Sequence, residues 1–330
     1  MDNQRIHQVI ELLENQLNLT VTDRLKVIKM SGGAIQENWL IQDDNFALVL
    51  RKNSEASVSV SSGREQEYKL LSRLHQLGIQ VPKPIYFAQA PNFLNSDFFI
   101  MQKINGVAEG HKLVRLADAN TRKNITQDIG KSLAYIHQVP SDDELTAFLP
   151  KPNKDEYLAD KIRYFREQLD LLQASRPVLE YAINWIADNL PRIDELVLVH
   201  GDFRTGNIMI ENDHISGILD WEFTQWGDRR EDIGWFTAKC WRFGQDKNVA
   251  GGIGSYEDFA QAYTDVCGVD IPESDLKFWH LLSHVRWAII AIQQSNRNNN
   301  MQTPSLELAL TEFMVPGLEK NILDILGDNA

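Results

Sequence analysis

Apolar and polar positions in the first hundred residues alternate in short runs that are typical of β-strands. Such runs lie at residues 24–30, 46–51 and 97–103. Between the second and third runs, residues 64–77 place four leucines at helical spacing, and Gly78 follows as a helix-ending residue. This part of the chain is therefore predicted to form a small sheet with one inserted helix.

From residue 112 onward the apolar spacing becomes mainly helical. The helical segments lie at 125–137, 156–172, 178–189, 256–266, 273–294 and 306–323. Three short β-like runs, at 196–199, 207–210 and 215–219, interrupt them. The pattern predicts an α+β protein with an N-terminal lobe over 1–103 and a larger, mainly helical lobe over 104–330. A chain of 330 residues accommodates both, because one domain usually takes about 150 residues.

The charge balance narrows the classes of partner. The chain has 33 basic and 46 acidic residues, which gives a net charge of −13. Proteins that bind nucleic acid generally present a net basic surface, so a nucleic-acid partner is disfavoured. An anionic ligand would have to be bound by a few local cations, backbone amides or a metal ion.

The sequence contains no recognisable signal for secretion, membrane insertion or disulfide formation. Residues 1–18 mix charged and apolar residues at helical spacing, which predicts a surface helix and no signal peptide. No apolar run approaches the roughly 18 residues that a membrane span needs. Two cysteines, Cys240 and Cys267, cannot form a disulfide framework. We expect a cytoplasmic protein without a membrane partner, and the sequence leaves its oligomeric state open.

Candidate chemistry is concentrated in the sequence His-Gly-Asp-Phe-Arg-Thr-Gly-Asn at 200–207, which follows an apolar strand and precedes a hairpin that ends at Asp220. Antiparallel pairing of that hairpin would place Asn207 and Asp220 at the same end. Mg²⁺ prefers hard oxygen ligands and keeps several water or phosphate oxygens, so Asn207 and Asp220 are candidate magnesium ligands.

Two further residues of the same loop have candidate roles in phosphoryl transfer. Asp202 could accept or orient the proton of an incoming hydroxyl, and Arg204 could present a cation to a phosphoryl group. Taken singly, Asp202 and Asn207 are more typical of turn residues and Asp220 of a strand cap, but the combination of the three favours chemistry. A dinuclear-metal hydrolase would need more histidine or carboxylate ligands than this segment offers.

The N-terminal lobe has its own candidate site residues. Ser31, Gly32 and Gly33 lie between two β-like runs, where glycine lets backbone amides approach phosphate oxygens; a tight hairpin is the alternative. Arg51 ends the second run, and Glu67 lies along the apolar face of the helix, so the two are predicted to pair. A solvated Glu67 is the alternative, and Lys52 leaves the position of the strand cation open by one residue.

Together these motifs resemble the aminoglycoside phosphotransferase and choline kinase family, the small-molecule branch of the protein-kinase-like fold. The resemblance covers residues 25–245 and is strongest over 197–244. It is closest to the subgroup related to the kinase-like domain attached to some acyl-CoA dehydrogenases, whose Asp-Trp-Glu and Trp-Arg-Phe-Gly sequences are similar to 220–222 and 241–244 here. Arg51 departs from the lysine usual in protein kinases, and Trp-Glu replaces Phe-Gly after Asp220.

The resemblance implies a role for each matched position. Asp202 corresponds to the catalytic aspartate, Asn207 and Asp220 to the magnesium ligands, and residues 31–38 to the loop that covers the nucleotide. Arg51 corresponds to the strand cation and Glu67 to its helix partner. Backbone atoms around Gln102, with its neighbours Met101 and Lys103, would hold adenine. Asp232 would support the catalytic loop without taking part in the reaction.

The implied fold is a two-lobed kinase-like fold with the nucleotide between the lobes, and the implied reaction transfers the γ-phosphoryl group of ATP or GTP, with Mg²⁺, to a hydroxyl of a small-molecule acceptor. A non-catalytic kinase-like module that binds a nucleotide or metabolite is the alternative. A protein kinase is disfavoured because no long segment ending in Ala-Pro-Glu follows Asp220.

The acceptor remains open. Trp235, Trp241 and their aromatic neighbours could form a wall for a cationic acceptor, or could be core residues. His280 and His284, one helical turn apart, could pack in the core or line the acceptor pocket.

Overall fold

The computed structural model describes residues 1–30, 36–53, 63–90, 92–115, 118–172, 175–299 and 310–327. The chain divides into two compact units. The first is Met1–Asn105 with Ser216–Phe223, and the second is Gly106–Ile215 with Thr224–Ala330.

The first unit contains a five-stranded antiparallel sheet of order β1-β2-β3-β5-β4 and two helices. Its elements are α1 (Asn3–Asn15), β1 (Lys26–Lys29), β2 (Gln36–Gln42), β3 (Ala47–Asn53), α2 (Arg64–Gln76), β4 (Pro84–Ala88) and β5 (Phe98–Gln102).

Alternation along β3 assigns its side chains to the two faces of the sheet. Leu48 and Leu50 belong to a buried cluster that includes Leu13 of α1, so α1 covers that face. The intervening residues point to the opposite face, where Arg51 meets Glu67 of α2. Strand alternation thus brings Arg51, a charged residue, under a helix.

The segment Ser216–Phe223 belongs to the first unit although it is distant from it in sequence. The Ile218 amide donates to the Gln80 carbonyl at 2.7 Å, and the Ser216 hydroxyl donates to the Asn105 carbonyl at 2.6 Å. The predicted boundary after residue 103 did not include Ser216–Phe223 in the N-terminal lobe. Its place there depends on hydrogen bonds between residues more than a hundred positions apart.

The second unit is mainly helical. Its helices are α3 (Gly110–Leu113), α4 (Ala119–His137), α5 (Asp143–Thr146), α6 (Tyr157–Asp170), α7 (Pro177–Asp188), α8 (Arg229–Thr237), α9 (Tyr256–Cys267), α10 (Lys277–Asn299) and α11 (Val315–Gly327). Its strands are β6 (Val197–Val199), β7 (Ile208–Glu211), β8 (His214–Ile218) and β9 (Gln225–Gly227), where β8 runs across the unit boundary.

Short strand pairings position the loop at residues 200–207. β6 pairs with β9, with Leu198 opposite Trp226, and β7 pairs with β8. Residues 200–207 connect β6 to β7 and end in a single 3₁₀ turn, Thr205–Asn207. The loop is therefore tied to a strand pairing at each end.

The predicted α+β class is confirmed, and the predicted strands and most predicted helices are present. The strands β2, β4 and β9 and the helices α3, α5 and α8 were missed. β2 begins with Gln36, Glu37 and Asn38, polar residues with low strand preference, and is held by pairing to both neighbours. Across the described ranges, no helix is both long and apolar enough to cross a membrane.

Candidate active site

The loop at residues 200–207 in the second unit is anchored by one buried carboxylate, that of Asp232 on α8. The amides of His200 and Gly201 donate to its two oxygens at 2.7 and 2.9 Å. Gly201 adopts a φ of 80°, a left-handed conformation that glycine adopts without strain. A hydrogen bond within the loop adds to this anchor: the Asp202 amide donates to Nδ1 of His200 at 3.1 Å.

A third donor to Asp232 is His137, the last residue of α4. Its Nε2 lies 3.2 Å from the Asp232 carboxylate, and its Nδ1 lies 2.8 Å from the Tyr263 hydroxyl. Burial would raise the pKa of Asp232, but the hydrogen bond from His137 and the backbone bonds outweigh it and lower that pKa. Burial lowers the pKa of His137. The pair is therefore a carboxylate and a neutral imidazole, with the proton on Nε2 and Tyr263 donating to Nδ1.

The Asp202 carboxylate, which follows this anchor, is held by side chains from both sides. Nε1 of Trp235 donates to Oδ1 at 2.8 Å, and Nδ2 of Asn207 donates to Oδ2 at 2.7 Å. Nε of Arg204 lies 3.2 Å from each oxygen. The side chain keeps 12% of its surface exposed, so the carboxylate is oriented and still accessible.

Arg204 also lies over an aromatic stack. Its guanidinium is 4.9 Å from the centre of the Trp241 ring, and Arg286 lies 4.6 Å from that of Trp235. The two rings pack at 5.2 Å. The protein's own guanidinium groups already lie on these two rings. The rings therefore do not present open faces to a cationic acceptor.

Asn207 has an orientation that suits a metal ligand. Its Nδ2 donates to the backbone carbonyl of Asp202 at 2.9 Å as well as to the carboxylate, so the amide oxygen must face the other way. In the part of the chain that the structure describes, no group of three or more histidine, cysteine, aspartate or glutamate side chains is arranged to hold a metal ion. A donor set poor in protein ligands fits Mg²⁺, which keeps waters and phosphate oxygens, and it does not fit zinc.

In the first unit, Arg51 connects two carboxylates. Its Nε lies 3.0 Å from Glu67 and its Nη2 donates to Asp220 at 2.8 Å. Lys52 points to the other face and pairs with Glu37 at 3.2 Å, so Arg51 is the cation of this strand that pairs with Glu67. Burial would lower the pKa of Arg51, but Glu67 and Asp220 outweigh it and raise that pKa.

Asp220 has backbone geometry unusual for a residue with a side chain, with a φ of 70° in the left-handed region. Such conformations cost free energy and are concentrated at functional sites. Its side chain is one-third exposed, whereas that of Glu67 is 2% exposed. Of the two carboxylates bound to Arg51, Asp220 is therefore the one accessible to a ligand.

Two charged residues of this cluster were missed in the sequence. Arg64, at the start of α2, is completely buried and forms a second ion pair with Glu67. Burial and then the neighbouring Asp220 raise the pKa of Glu222 to about 7. The spacing of Arg64 and Glu67, one helical turn apart, was a usable signal for their pairing, whereas nothing in the sequence indicated the burial of Arg64.

The remaining predicted nucleotide-binding residues are only partly visible. Ser31, Gly32 and Gly33 lie outside the described residues. Met101 and Gln102 end β5, and Lys103 follows. The amides of Gln102 and Lys103 donate to the carbonyls of Lys83 and Ala47 at 2.8 and 3.0 Å. A base bound at this segment would have to use other backbone groups.

His280 and His284 are packing residues of α10. Nε2 of His280 lies 2.8 Å from the Thr237 hydroxyl, and Nδ1 of His284 lies 2.7 Å from the His280 carbonyl. Burial, reinforced by His284 and Arg242, lowers the pKa of His280 to about 3. Burial, and to a smaller extent Arg242, lowers that of His284 to about 4, against the opposing bond to the His280 carbonyl. Both are neutral at physiological pH.

Most of this chain matches a known protein family. The model of the phosphotransferase enzyme family matches residues 26–267. The chain belongs to this family. Among curated relatives of this family member, acyl-CoA dehydrogenase family member 10 of Mus musculus is 23% identical over 291 residues, which cover 84% of this chain and 27% of the relative. The chain thus spans about a quarter of that protein's length.

Solved structures agree on the fold of this phosphotransferase family member. A candidate aminoglycoside phosphotransferase of Ralstonia eutropha superposes with a TM-score of 0.79 at 19% identity, covering 98% of each chain. Spectinomycin phosphotransferase, in complex with ADP and spectinomycin, superposes with a TM-score of 0.66 at 14% identity, covering 97% of this chain and 98% of that one. At these identities the likeness establishes the kinase-like fold.

The buried Glu67 is expected to be essential for stability. Glu67→Gln removes the buried carboxylate that pairs with both Arg51 and Arg64, and it should lower the free energy of unfolding by about 3–5 kcal/mol in urea denaturation. The matched control is Glu65→Gln on the same helix, whose exposed carboxylate pairs with Lys69 and whose loss should change stability by less than about 1 kcal/mol. Equal losses in the two variants would contradict the account of this cluster.

The two buried histidines predict a dependence of stability on pH. Their pKa values are lower in the folded state than in the unfolded chain, so the unfolded chain binds more protons below about pH 6.5. The free energy of unfolding should therefore fall as pH decreases from 6.5 toward 4, with each histidine adding up to about 1.4 kcal/mol per pH unit. Urea denaturation of His280→Gln should show a shallower fall than the wild type, and the exposed His7→Gln should not. An unchanged slope in His280→Gln would show that His280 is protonated in the folded state.

Proposed function

We propose that this chain is a small-molecule kinase that transfers the γ-phosphoryl group of ATP, or of GTP, to a hydroxyl group of its acceptor. The observation that carries the proposal is the Asp202 carboxylate, which Trp235, Asn207 and Arg204 orient while leaving it accessible. Membership of the phosphotransferase family supports the reaction class.

In the proposed reaction, Asp202 accepts or orients the proton of the acceptor hydroxyl. The hydroxyl oxygen forms a bond to the γ-phosphorus, the bond from that phosphorus to the β,γ-bridging oxygen breaks, and the nucleoside diphosphate leaves. Because three side-chain donors hold its carboxylate, Asp202 can align the hydroxyl for attack and receive its proton as the bond to phosphorus forms. Arg204 offers positive charge to the phosphoryl oxygens as negative charge spreads over them.

The nucleotide is expected to use residues of the first unit. We propose that Arg51, fixed by Glu67, contacts phosphate oxygens, as a buried guanidinium with two carboxylate partners is already held in one orientation. Asp220 and the amide oxygen of Asn207 are the proposed protein ligands of Mg²⁺, which would neutralise phosphate charge when bound. Ser31, Gly32 and Gly33 remain proposed phosphate contacts, and Met101, Gln102 and Lys103 the proposed base-binding segment.

The acceptor is proposed to be a small hydroxyl compound. Spectinomycin phosphotransferase, which shares the fold, has been seen in complex with ADP and the small molecule spectinomycin. The guanidinium groups over Trp241 and Trp235 disfavour a cationic group next to Asp202, since they would repel it. The acceptor is therefore expected to carry no positive charge near the hydroxyl that is phosphorylated.

The proposal predicts the effect of Asp202→Asn. Release of ADP or GDP is measured with Mg²⁺, ATP or GTP, and a panel of hydroxylated metabolites. The turnover number should fall about 10²- to 10⁴-fold, because the amide cannot receive the hydroxyl proton. The rise in melting temperature that MgATP gives the wild type should persist, since Asp202 is not a proposed nucleotide ligand. Asp194→Asn, at an exposed aspartate paired with Arg192, is the matched control and should behave as the wild type.

Two outcomes would overturn the proposal. Undiminished turnover in Asp202→Asn would exclude Asp202 as the catalytic residue. A wild-type protein that neither turns over nor gains thermal stability with any nucleotide would favour the non-catalytic binding module.

A further inference from the structure

Trp235 differs from the other tryptophans of its aromatic stack in that its indole N–H donates a hydrogen bond, to Asp202. Trp235, Trp241 and Trp287 pack as a row, with ring centres 5.2 and 5.0 Å apart. Among the residues that the structure describes, the buried indole nitrogens of Trp241 and Trp287 have no hydrogen-bond partner. Packing in this row therefore does not require a partner for the indole N–H, whereas that of Trp235 lies 2.8 Å from Oδ1 of Asp202.

The Trp235 ring itself is held firmly. It is 3% exposed, and the Arg286 guanidinium lies 4.6 Å from its centre. Arg286 also donates through Nη1 to the carbonyl of Gly201 at 2.5 Å. One arginine thus contacts both the ring that binds Asp202 and the peptide group that precedes Asp202. The direction of the indole N–H is fixed relative to the loop.

The three donors to Asp202 differ in what they fix. Nε of Arg204 lies at the same 3.2 Å from both oxygens and so does not distinguish them. Asn207 binds Oδ2 and Trp235 binds Oδ1. With one short bond to each oxygen, the carboxylate cannot rotate about its Cβ–Cγ bond without breaking one. Trp235 supplies its bond without adding charge and without exposing a flexible side chain.

We propose that Trp235 is a positioning residue for phosphoryl transfer, whose indole N–H sets the orientation of the Asp202 carboxylate toward the acceptor hydroxyl. This inference rests on the proposed function, in which Asp202 is the catalytic residue. A positioning group of this kind affects the chemical step more than nucleotide binding, because only the orientation of the carboxylate changes when it is lost.

The first test observes the hydrogen bond without any substrate. Indole N–H resonances of the full-length protein labelled with ¹⁵N-tryptophan are recorded, and Trp235→Phe identifies the Trp235 signal. Asp202→Asn replaces the charged acceptor with a neutral one, so the Trp235 proton resonance should move upfield. The Trp226 resonance should stay in place, since that N–H donates to the Leu149 carbonyl at 2.8 Å. A Trp235 resonance that does not respond would overturn the proposal.

The second test measures turnover. The Asp202-dependent activity is the rate of ADP release by the wild type minus the rate by Asp202→Asn. Water serves as the acceptor if no metabolite in the panel reacts faster. Trp235→Phe should lower the turnover number of this activity about 10-fold to 100-fold, the usual effect of losing a hydrogen bond to a charged group, with KM for MgATP unchanged. The matched control is Trp279→Phe, a fully buried tryptophan whose Nε1 has no partner among the described residues; it should lose stability and retain turnover.

The outcomes separate the two claims. A wild type without Asp202-dependent turnover contradicts the proposed function and the positioning role with it. Normal turnover in Trp235→Phe contradicts the positioning role alone. A parallel rise in KM and fall in turnover in both tryptophan variants would show a general packing effect, which also contradicts it.

Discussion

The candidate active site depends on one buried negative charge. Asp232 is fully buried and accepts hydrogen bonds from the amides of His200 and Gly201 and from the imidazole of His137. An unpaired buried carboxylate would be costly, and so would two unpaired amides, so each satisfies the other. This exchange fixes the backbone immediately before Asp202, and every proposed role of Asp202 presupposes that its backbone has one position.

The two units stabilise their functional carboxylates by different means. In the first, Glu67 and Asp220 are bound by arginines, which orient them strongly and leave little tolerance for losing one partner. In the second, Asp232 is bound by neutral donors, and Asp202 by Trp235 and Asn207 together with Arg204. Two of the three side chains that hold Asp202 are neutral, so they orient the carboxylate without adding positive charge, which suits its proposed role of attracting a hydroxyl proton.

The features that could be predicted from the sequence are those that depend on the spacing of nearby residues. The Arg51–Glu67 pairing followed from the position of Arg51 at the end of its strand and from helix periodicity, and the fold class followed from the change of apolar period after residue 112. The roles assigned to Asp202, Asn207 and Asp220 stay predictions. Trp235 was seen only as an aromatic residue, because its bond to Asp202 joins positions 33 residues apart. The same limit hid the burial of Arg64 and the return of Ser216–Phe223 to the first unit, since both depend on tertiary packing.

Native-state hydrogen exchange of the unmodified protein tests the anchoring of the loop most directly. Loop amides commonly exchange through small local openings, whereas core amides exchange only when the surrounding structure unfolds. The amides of His200, Gly201 and Asp202 should be as protected as those of the buried face of α4, with the same dependence on denaturant. Rapid exchange at these three amides, independent of denaturant while α4 remains protected, would show that Asp232 does not hold the loop.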